Sequence, residues 1–239
     1  MTLAPALYMQ GSAAIDGVPI FRALDLHVAA GQWTCLLGSS GVGKSTVLKL
    51  FARLAEHVEF NGEFGAEGGD LTGRVALMAQ SDLLLPWLSV SENVALGARL
   101  RGDAPDKSKV SHVLDRVGLA DKAARRPGEL SGGQRQRVAL ARTLMEDRPV
   151  VLLDEPFSAL DAKNRSLMQE LTAEVLQDRT VLLVTHDPVE AARLGHAINL
   201  MTDRGIETVT PPPGTVPRAV DDEIVLKVQA ALLARLRED

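Results

Sequence analysis

The run Gly38-Ser39-Ser40-Gly41-Val42-Gly43-Lys44-Ser45-Thr46 constrains the fold around it more than any other stretch of this chain. Before it, residues 33–37 form a short apolar segment suited to a buried strand. After it, Val47, Leu48, Leu50, Phe51 and Leu54 recur at helical spacing. The unit is therefore strand, glycine loop, helix. Gly38, Gly41 and Gly43 let the backbone curl so that successive N–H groups converge, and the helix beginning near Lys44 adds its positive dipole end. Such a loop holds phosphate oxygens. Lys44 would reach the β- and γ-phosphates of a nucleotide, Ser45 would ligate Mg²⁺, and Thr46 would sit behind them in the helix.

Two further segments extend that chemistry. The apolar run from Val150 ends in Asp154-Glu155. At the carboxyl end of a strand, Asp154 would hold Mg²⁺ through water and Glu155 would polarise an attacking water as general base. Alternatively, the two acids cap the helix that follows near Ser158. Leu130-Ser131-Gly132-Gly133-Gln134 precedes a helical stretch to Met145. Ser131 is a natural N-cap, and the glycines expose the first N–H groups, which gives a second anion-seeking helix end. One nucleotide rarely needs two.

The rest of the chain reads as an α/β framework. Residues 7–30 contain antiparallel strands with a turn at Asp16-Gly17, Asn61-Gly62 suggests a tight hairpin, and residues 74–79 form another strand. Between residues 89 and 129 strand signals vanish, and residues 90–100 and 109–117 look helical, so residues 81–129 are expected to form an inserted helical subdomain. Beyond residue 131, helix and strand alternate: a strand at 150–153, a helix at 162–176 and a strand at 180–184. That pattern predicts a largely parallel sheet covered by helices on both faces. Pro211-Pro212-Pro213-Gly214 marks a break before a C-terminal helical segment, residues 215–239, with Ile224, Val225, Val228, Ala231, Leu232 and Leu236 on its apolar face. The whole, residues 1–239, is read as one domain.

Composition narrows the partners. A net charge of −5 and only 3% aromatic residues provide no basic, aromatic-interleaved surface for nucleic acid. The only cysteine, Cys35, excludes an intrachain disulfide and sits in an apolar segment where burial is expected. The N-terminal residues lack the basic flank of a secretory signal, and no uncharged apolar run reaches the roughly 18 residues needed to span a bilayer. A membrane role would have to come through a partner.

In order and spacing, these motifs resemble those of nucleotide-binding subunits of ATP-binding cassette (ABC) transporters, over nearly the whole chain. The signature Leu130 to Gln134 is highly specific to that family. The resemblance implies a P-loop NTPase core with an N-terminal antiparallel β subdomain and an inserted helical subdomain. It implies ATP and Mg²⁺ as cofactors and a head-to-tail dimer, in which Ser131, Gly132, Gly133 and Gln134 of one copy close over the γ-phosphate held by Lys44 of the other. Gln80 would contact Mg²⁺ and the attacking water, and His186 would sense the γ-phosphate. Asp161, in Ser158-Ala159-Leu160-Asp161, would link the two sites across the dimer, although the residue also reads as an N-cap for the following helix. Residues 83–88 are either core of the helical subdomain or a patch facing a membrane subunit. The chain departs from the family at Ile15, which precedes the Asp16-Gly17 turn where an aromatic residue usually stacks on adenine.

The stretch Leu84 to Val94 is similar to the group importing nitrate, sulfonates, taurine and thiamine-precursor pyrimidines. That similarity implies separate integral-membrane permease subunits, a periplasmic or extracellular substrate-binding protein, and a peripheral position on the cytoplasmic face of the inner membrane. Alternatives are the ATPase subunit of an exporter and a soluble mechanoenzyme of the same superfamily. The mechanoenzymes usually carry a long coiled-coil insertion or a second cassette, and this sequence has neither.

Overall fold

A computed structural model of the chain describes residues 4–238. The first three residues, and with them part of the leader reading above, lie outside the described residues. Two compact units divide the chain. One comprises the chain up to Leu77, Arg148–Asp154, and Asp178 onward; the other comprises Met78–Asp147 and Glu155–Gln177.

The first unit is built on two sheets. β1 (Leu7–Ile15), β2 (Val18–Val28) and β4 (Glu59–Ala66) form an antiparallel three-stranded sheet in the order β2-β1-β4. Asp16 and Gly17 both take positive φ, 50° and 75°, as the two-residue turn between β1 and β2 requires. The second sheet runs β5-β6-β7-β3-β8-β9, from β3 (Trp33–Leu37), β5 (Val75–Met78), β6 (Val150–Asp154), β7 (Thr180–Thr185), β8 (Ala197–Thr202) and β9 (Gly205–Val209). Strands β6, β7, β3 and β8 are parallel neighbours, and β9 closes the edge antiparallel to β8.

Every residue of β3, β6 and β7 is buried, which explains why these strands read as continuous apolar runs rather than alternating ones. Along the pleat, Leu36, Val150, Leu152, Leu182 and Val184 share one core with Val47, Leu48, Leu50 and Phe51 of α1 (Lys44–Phe51) and with Leu7, Met9, Leu24 and Leu26 of the three-stranded sheet. Fully burying side chains such as Phe51 and Leu48 stabilises the unit by about 1.5–3 kcal/mol each. This core fixes the helix on which Lys44 and Ser45 stand. On α8 (Glu223–Glu238) only Val225 and Leu232 are fully buried, while Ile224 is 45% exposed, so the apolar stripe is narrower than the sequence suggests.

Asn61-Gly62 is not a hairpin. Both residues lie inside β4, where Asn61 pairs with Ser12 and Gly62 with Gly11. A Cβ at Gly62 would fall 2.1 Å from the Gln10 carbonyl oxygen, so glycine is required for strand approach beside the β1 irregularity between Gly11 and Ala13.

The second unit is helical. The segment read as one helix over residues 90–100 is two, α2 (Val90–Val94) and α3 (Leu96–Leu100), separated at Ala95. Space at Gly97 is taken by the Glu146 carboxylate, which pairs with Arg101. The unit continues with α4 (Lys107–Arg116), α5 (Gly132–Met145) and α6 (Ala162–Val175), so it extends well beyond residue 129. In the first unit, α7 (Pro188–Leu194) and the β8–β9 pair add to the elements expected from the sequence. Among the described residues, no helix is long and apolar enough to cross a membrane.

Candidate functional site

The first unit gathers one group of the singled-out residues. Register aligns Leu37 of β3 with Thr185 of β7, and Asp154 of β6 with Val184 of β7. Gly38, Asp154 and His186 thus stand together at the carboxyl ends of adjacent parallel strands, where open α/β sheets bind ligands. Gly43 is the N-cap of α1 with φ 108°, a conformation that favours glycine. A Cβ there would also meet Ile20 at 2.8 Å and Phe21 at 3.1 Å. Lys44 is buried and donates from Nζ to the carbonyl oxygens of Gly38 (2.8 Å) and Ser39 (2.7 Å), so its ammonium lies inside the curl of the loop. Ser39, Ser40 and Gly41 are exposed, whereas Val42, Ser45 and Thr46 are half-buried.

Asp154 is 6% exposed. Together with the Ser45 hydroxyl it offers hard oxygen donors of the kind Mg²⁺ takes. No cluster of three or more His, Cys, Asp or Glu side chains suited to a metal occurs among the described residues. His186 is exposed in the turn between β7 and α7. The turn is set by Asp187, whose carboxylate accepts from Val189 N at 2.9 Å, and by Pro188 at the first helical position.

The second unit carries the other group. Gln80 Nε2 donates to Glu155 Oε2 at 3.2 Å. Glu155 itself sits at φ 49°, a left-handed conformation that costs a non-glycine residue on the order of 1–3 kcal/mol. Ser131 caps α5 through a reciprocal box: Gln134 N donates to Ser131 Oγ at 3.3 Å, and Ser131 N donates to Gln134 Oε1 at 2.9 Å. Ser131 and Gly132 are exposed, and the opening N–H groups of a helix have no intrahelical acceptor. Asp161 is the N-cap of α6, its carboxylate accepting from Asn164 N at 3.0 Å and Asn164 Nδ2 at 2.6 Å. Those backbone and side-chain bonds from Asn164 hold its pKa below the usual carboxylate value.

Three residues of this unit went unremarked in the sequence. Asn93 is fully buried and ties down the stretch after Gln80, accepting from Leu85 N and donating to the carbonyls of Leu85, Leu88 and Ser89. Arg142 binds the carbonyls of Asp82 and Leu83. With that backbone pinned, Leu84 is buried while Leu83 and Trp87 are 61% and 66% exposed, so residues 83–88 serve both as core and as surface. The third is Gln136, at 6% exposure on α5. A buried polar residue in line with Ala139, Leu140 and Thr143 on a helix face was the available signal.

A glycine loop between β3 and α1, with an acid ending the strand at Asp154, defines a P-loop nucleoside triphosphatase. The ABC transporter family profile matches residues 21–158, and the chain belongs to that family as an ATP-binding, ATP-hydrolysing subunit. It is 42% identical over 232 residues to an uncharacterized ABC transporter ATP-binding protein of Haemophilus influenzae, covering 94% of this chain and 95% of that protein. It is 45% identical to an aliphatic sulfonates import ATP-binding protein of Rhodococcus jostii, covering 83% of this chain and 80% of the relative. Among solved structures, a dimeric ATP-binding cassette in a post-hydrolysis state with ADP and Pi superposes with a TM-score of 0.77 at 26% identity, covering 87% of this chain and all of the other. A bacterial Atm1-family exporter with ATP bound shares the fold, with a TM-score of 0.79 at 23% identity over 99% of this chain and 43% of its own.

Proposed function

We propose that this chain is the energising subunit of an importer for a small oxyanionic solute of the aliphatic sulfonate class. It would work as a head-to-tail pair on the cytoplasmic face of the membrane with separate permease subunits and a substrate-binding protein. The reading of the ATPase site rests chiefly on the alignment of Gly38, Asp154 and His186 on neighbouring strand ends. The direction and class of transport rest on the sulfonate import proteins of Rhodococcus jostii and Delftia acidovorans, 45% and 39% identical to this chain.

In this reading the loop from Gly38 to Thr46 binds the phosphates through its N–H groups, with Val42 packed against the core and Lys44 neutralising charge between the β- and γ-positions. Ser45, Asp154 and Gln80 would hold Mg²⁺, which supplies charge neutralisation at the phosphates. Glu155, oriented by Gln80, accepts the proton of the attacking water as its oxygen bonds to the γ-phosphorus and the bond to the ADP oxygen breaks. His186 supports the γ-phosphate from the end of β7. Ser131, Gly132, Gly133 and Gln134 serve the partner copy's nucleotide, and Asp161 passes closure between the two sites. Residues 1–239 act as one ATPase domain, and the exposed Leu83 and Trp87 face the permease.

Capture of the chain from gently solubilised native membranes tests the assignment. A multi-span subunit and a solute-binding protein that takes up an alkanesulfonate are the expected companions. A multi-span subunit alone would redirect the reading to export, and only soluble companions would overturn it.

The base is the weak point of nucleotide recognition. Ile15 ends β1 at 38% exposure and offers the base an aliphatic face, whereas stacking on an aromatic is worth about 1–3 kcal/mol. Ile15→Tyr should tighten ATP about tenfold or more, measured by titration calorimetry, with much less gain for inorganic triphosphate. Equal gains for both would remove Ile15 from the base site.

A further inference from the structure

We propose that Gln136 is a positioning residue that holds the general base in its productive conformation and ties it to the signature helix, an inference that rests on the reading of Glu155 given above. All polar atoms of the Gln136 amide are engaged on the turn that follows Glu155. Its Nε2 donates to the Glu155 carbonyl oxygen at 3.0 Å and to Ser158 Oγ at 3.2 Å, and its Oε1 accepts from Ala159 N at 2.8 Å. The same Glu155 carbonyl also accepts from Ser158 Oγ at 3.1 Å and Ser158 N at 3.3 Å. Three donors thus converge on the peptide of a residue whose φ of 49° would relax toward a common conformation if released. The Glu155 side chain leaves this same backbone and meets Gln80, so a slackened turn would swing the carboxylate off its line.

Gln136 also stands one helical turn beyond Gly133, whose backbone lies so close to the turn that a Cβ there would come within 3.1 Å of the Ala159 carbonyl oxygen. The signature end of α5 and the Glu155 turn are therefore braced as one body. In a head-to-tail pair, these two features of one copy serve different nucleotides.

The test compares Gln136→Met, which keeps side-chain volume and removes the hydrogen bonds, with Ser158→Ala, which removes one donor from the same carbonyl. ATP affinity, melting temperature and steady-state turnover are read for each, with Glu155→Gln run in parallel. A displacement of the base on the order of 1 Å is worth up to about 100-fold in rate. Gln136→Met should therefore lower kcat about 10- to 100-fold with ATP affinity within about twofold of the parent, the split expected when transition-state placement alone is lost. Ser158→Ala should move kcat in the same direction by a smaller factor, and it carries the test if Gln136→Met does not fold. Unchanged kcat in the folded variants, or kcat and ATP affinity falling by the same factor, overturns the positioning role while leaving Glu155 as base. Near-normal turnover of Glu155→Gln would instead remove the base assignment on which the proposal stands.

Discussion

Glu155→Gln should lower ATP turnover by about 10²–10⁴-fold, the range typical of a general base, while ATP binding and ATP-driven dimerisation persist. The glutamine retains size and polarity, so the bond with Gln80, now between two amides, can be kept by an amide flip. What the amide cannot do is accept a proton from water at neutral pH. Steady-state phosphate release and sedimentation of the ATP-loaded protein read the two effects separately. Turnover within a few-fold of the parent would remove Glu155 from catalysis. Loss of dimerisation together with turnover would mean that the substitution had damaged the turn rather than the chemistry. Gln136→Met and Ser158→Ala supply a control, because both leave the Glu155 carboxylate in place.

Lys44→Ala should act earlier, at binding. The Lys44 ammonium lies inside the loop on the carbonyls of Gly38 and Ser39, so its loss removes both a charge aimed at phosphate and the internal tie of the loop. Hydrogen bonds to charged groups contribute about 1.5–3 kcal/mol each, so ATP affinity should weaken about 10- to 100-fold. Because α1 is anchored through Val47, Leu48 and Phe51, the fold should survive, with a melting temperature close to that of the parent. Calorimetric titration with ATP and with inorganic triphosphate should show similar proportional losses, since the contact lies at phosphate rather than base. Unchanged affinity for both would contradict the phosphate assignment.

The sequence was most legible where chemistry and local structure coincide. Residues 33–51 announce strand, loop and helix because a glycine loop between a buried strand and a helix is itself the local fold. Asp154, Ser131 and Asp161 stand at element ends, where a short polar residue next to an apolar run is conspicuous. Legibility failed where distant chain supplies the reason. Asn61-Gly62 carries the local signature of a turn, but Gly62 is needed because Gly11 crosses opposite it. Gly97 sits between two short helices because Glu146 occupies the space beside it. Gln136 makes its bonds to residues 19–23 positions away, and no pattern along one helix reveals what a buried amide on it holds. In each case the local code was overridden by a partner elsewhere in the chain.

Cys35 lies in the middle of β3, fully buried. Desolvation raises its pKa above the ordinary thiol range, with the charge of Glu190 adding to the effect. Thiolate is the reactive form, so this buried thiol should react slowly with maleimides and disulfide reagents while the fold is intact. Since the sequence contains no other cysteine, the protein is already a cysteine-light background for site-specific labelling. A single cysteine placed on the surface would be the sole addressable handle for spin labels, fluorophores or cross-linkers. The closing and opening of a pair could then be followed in real time without first removing a native thiol from the core.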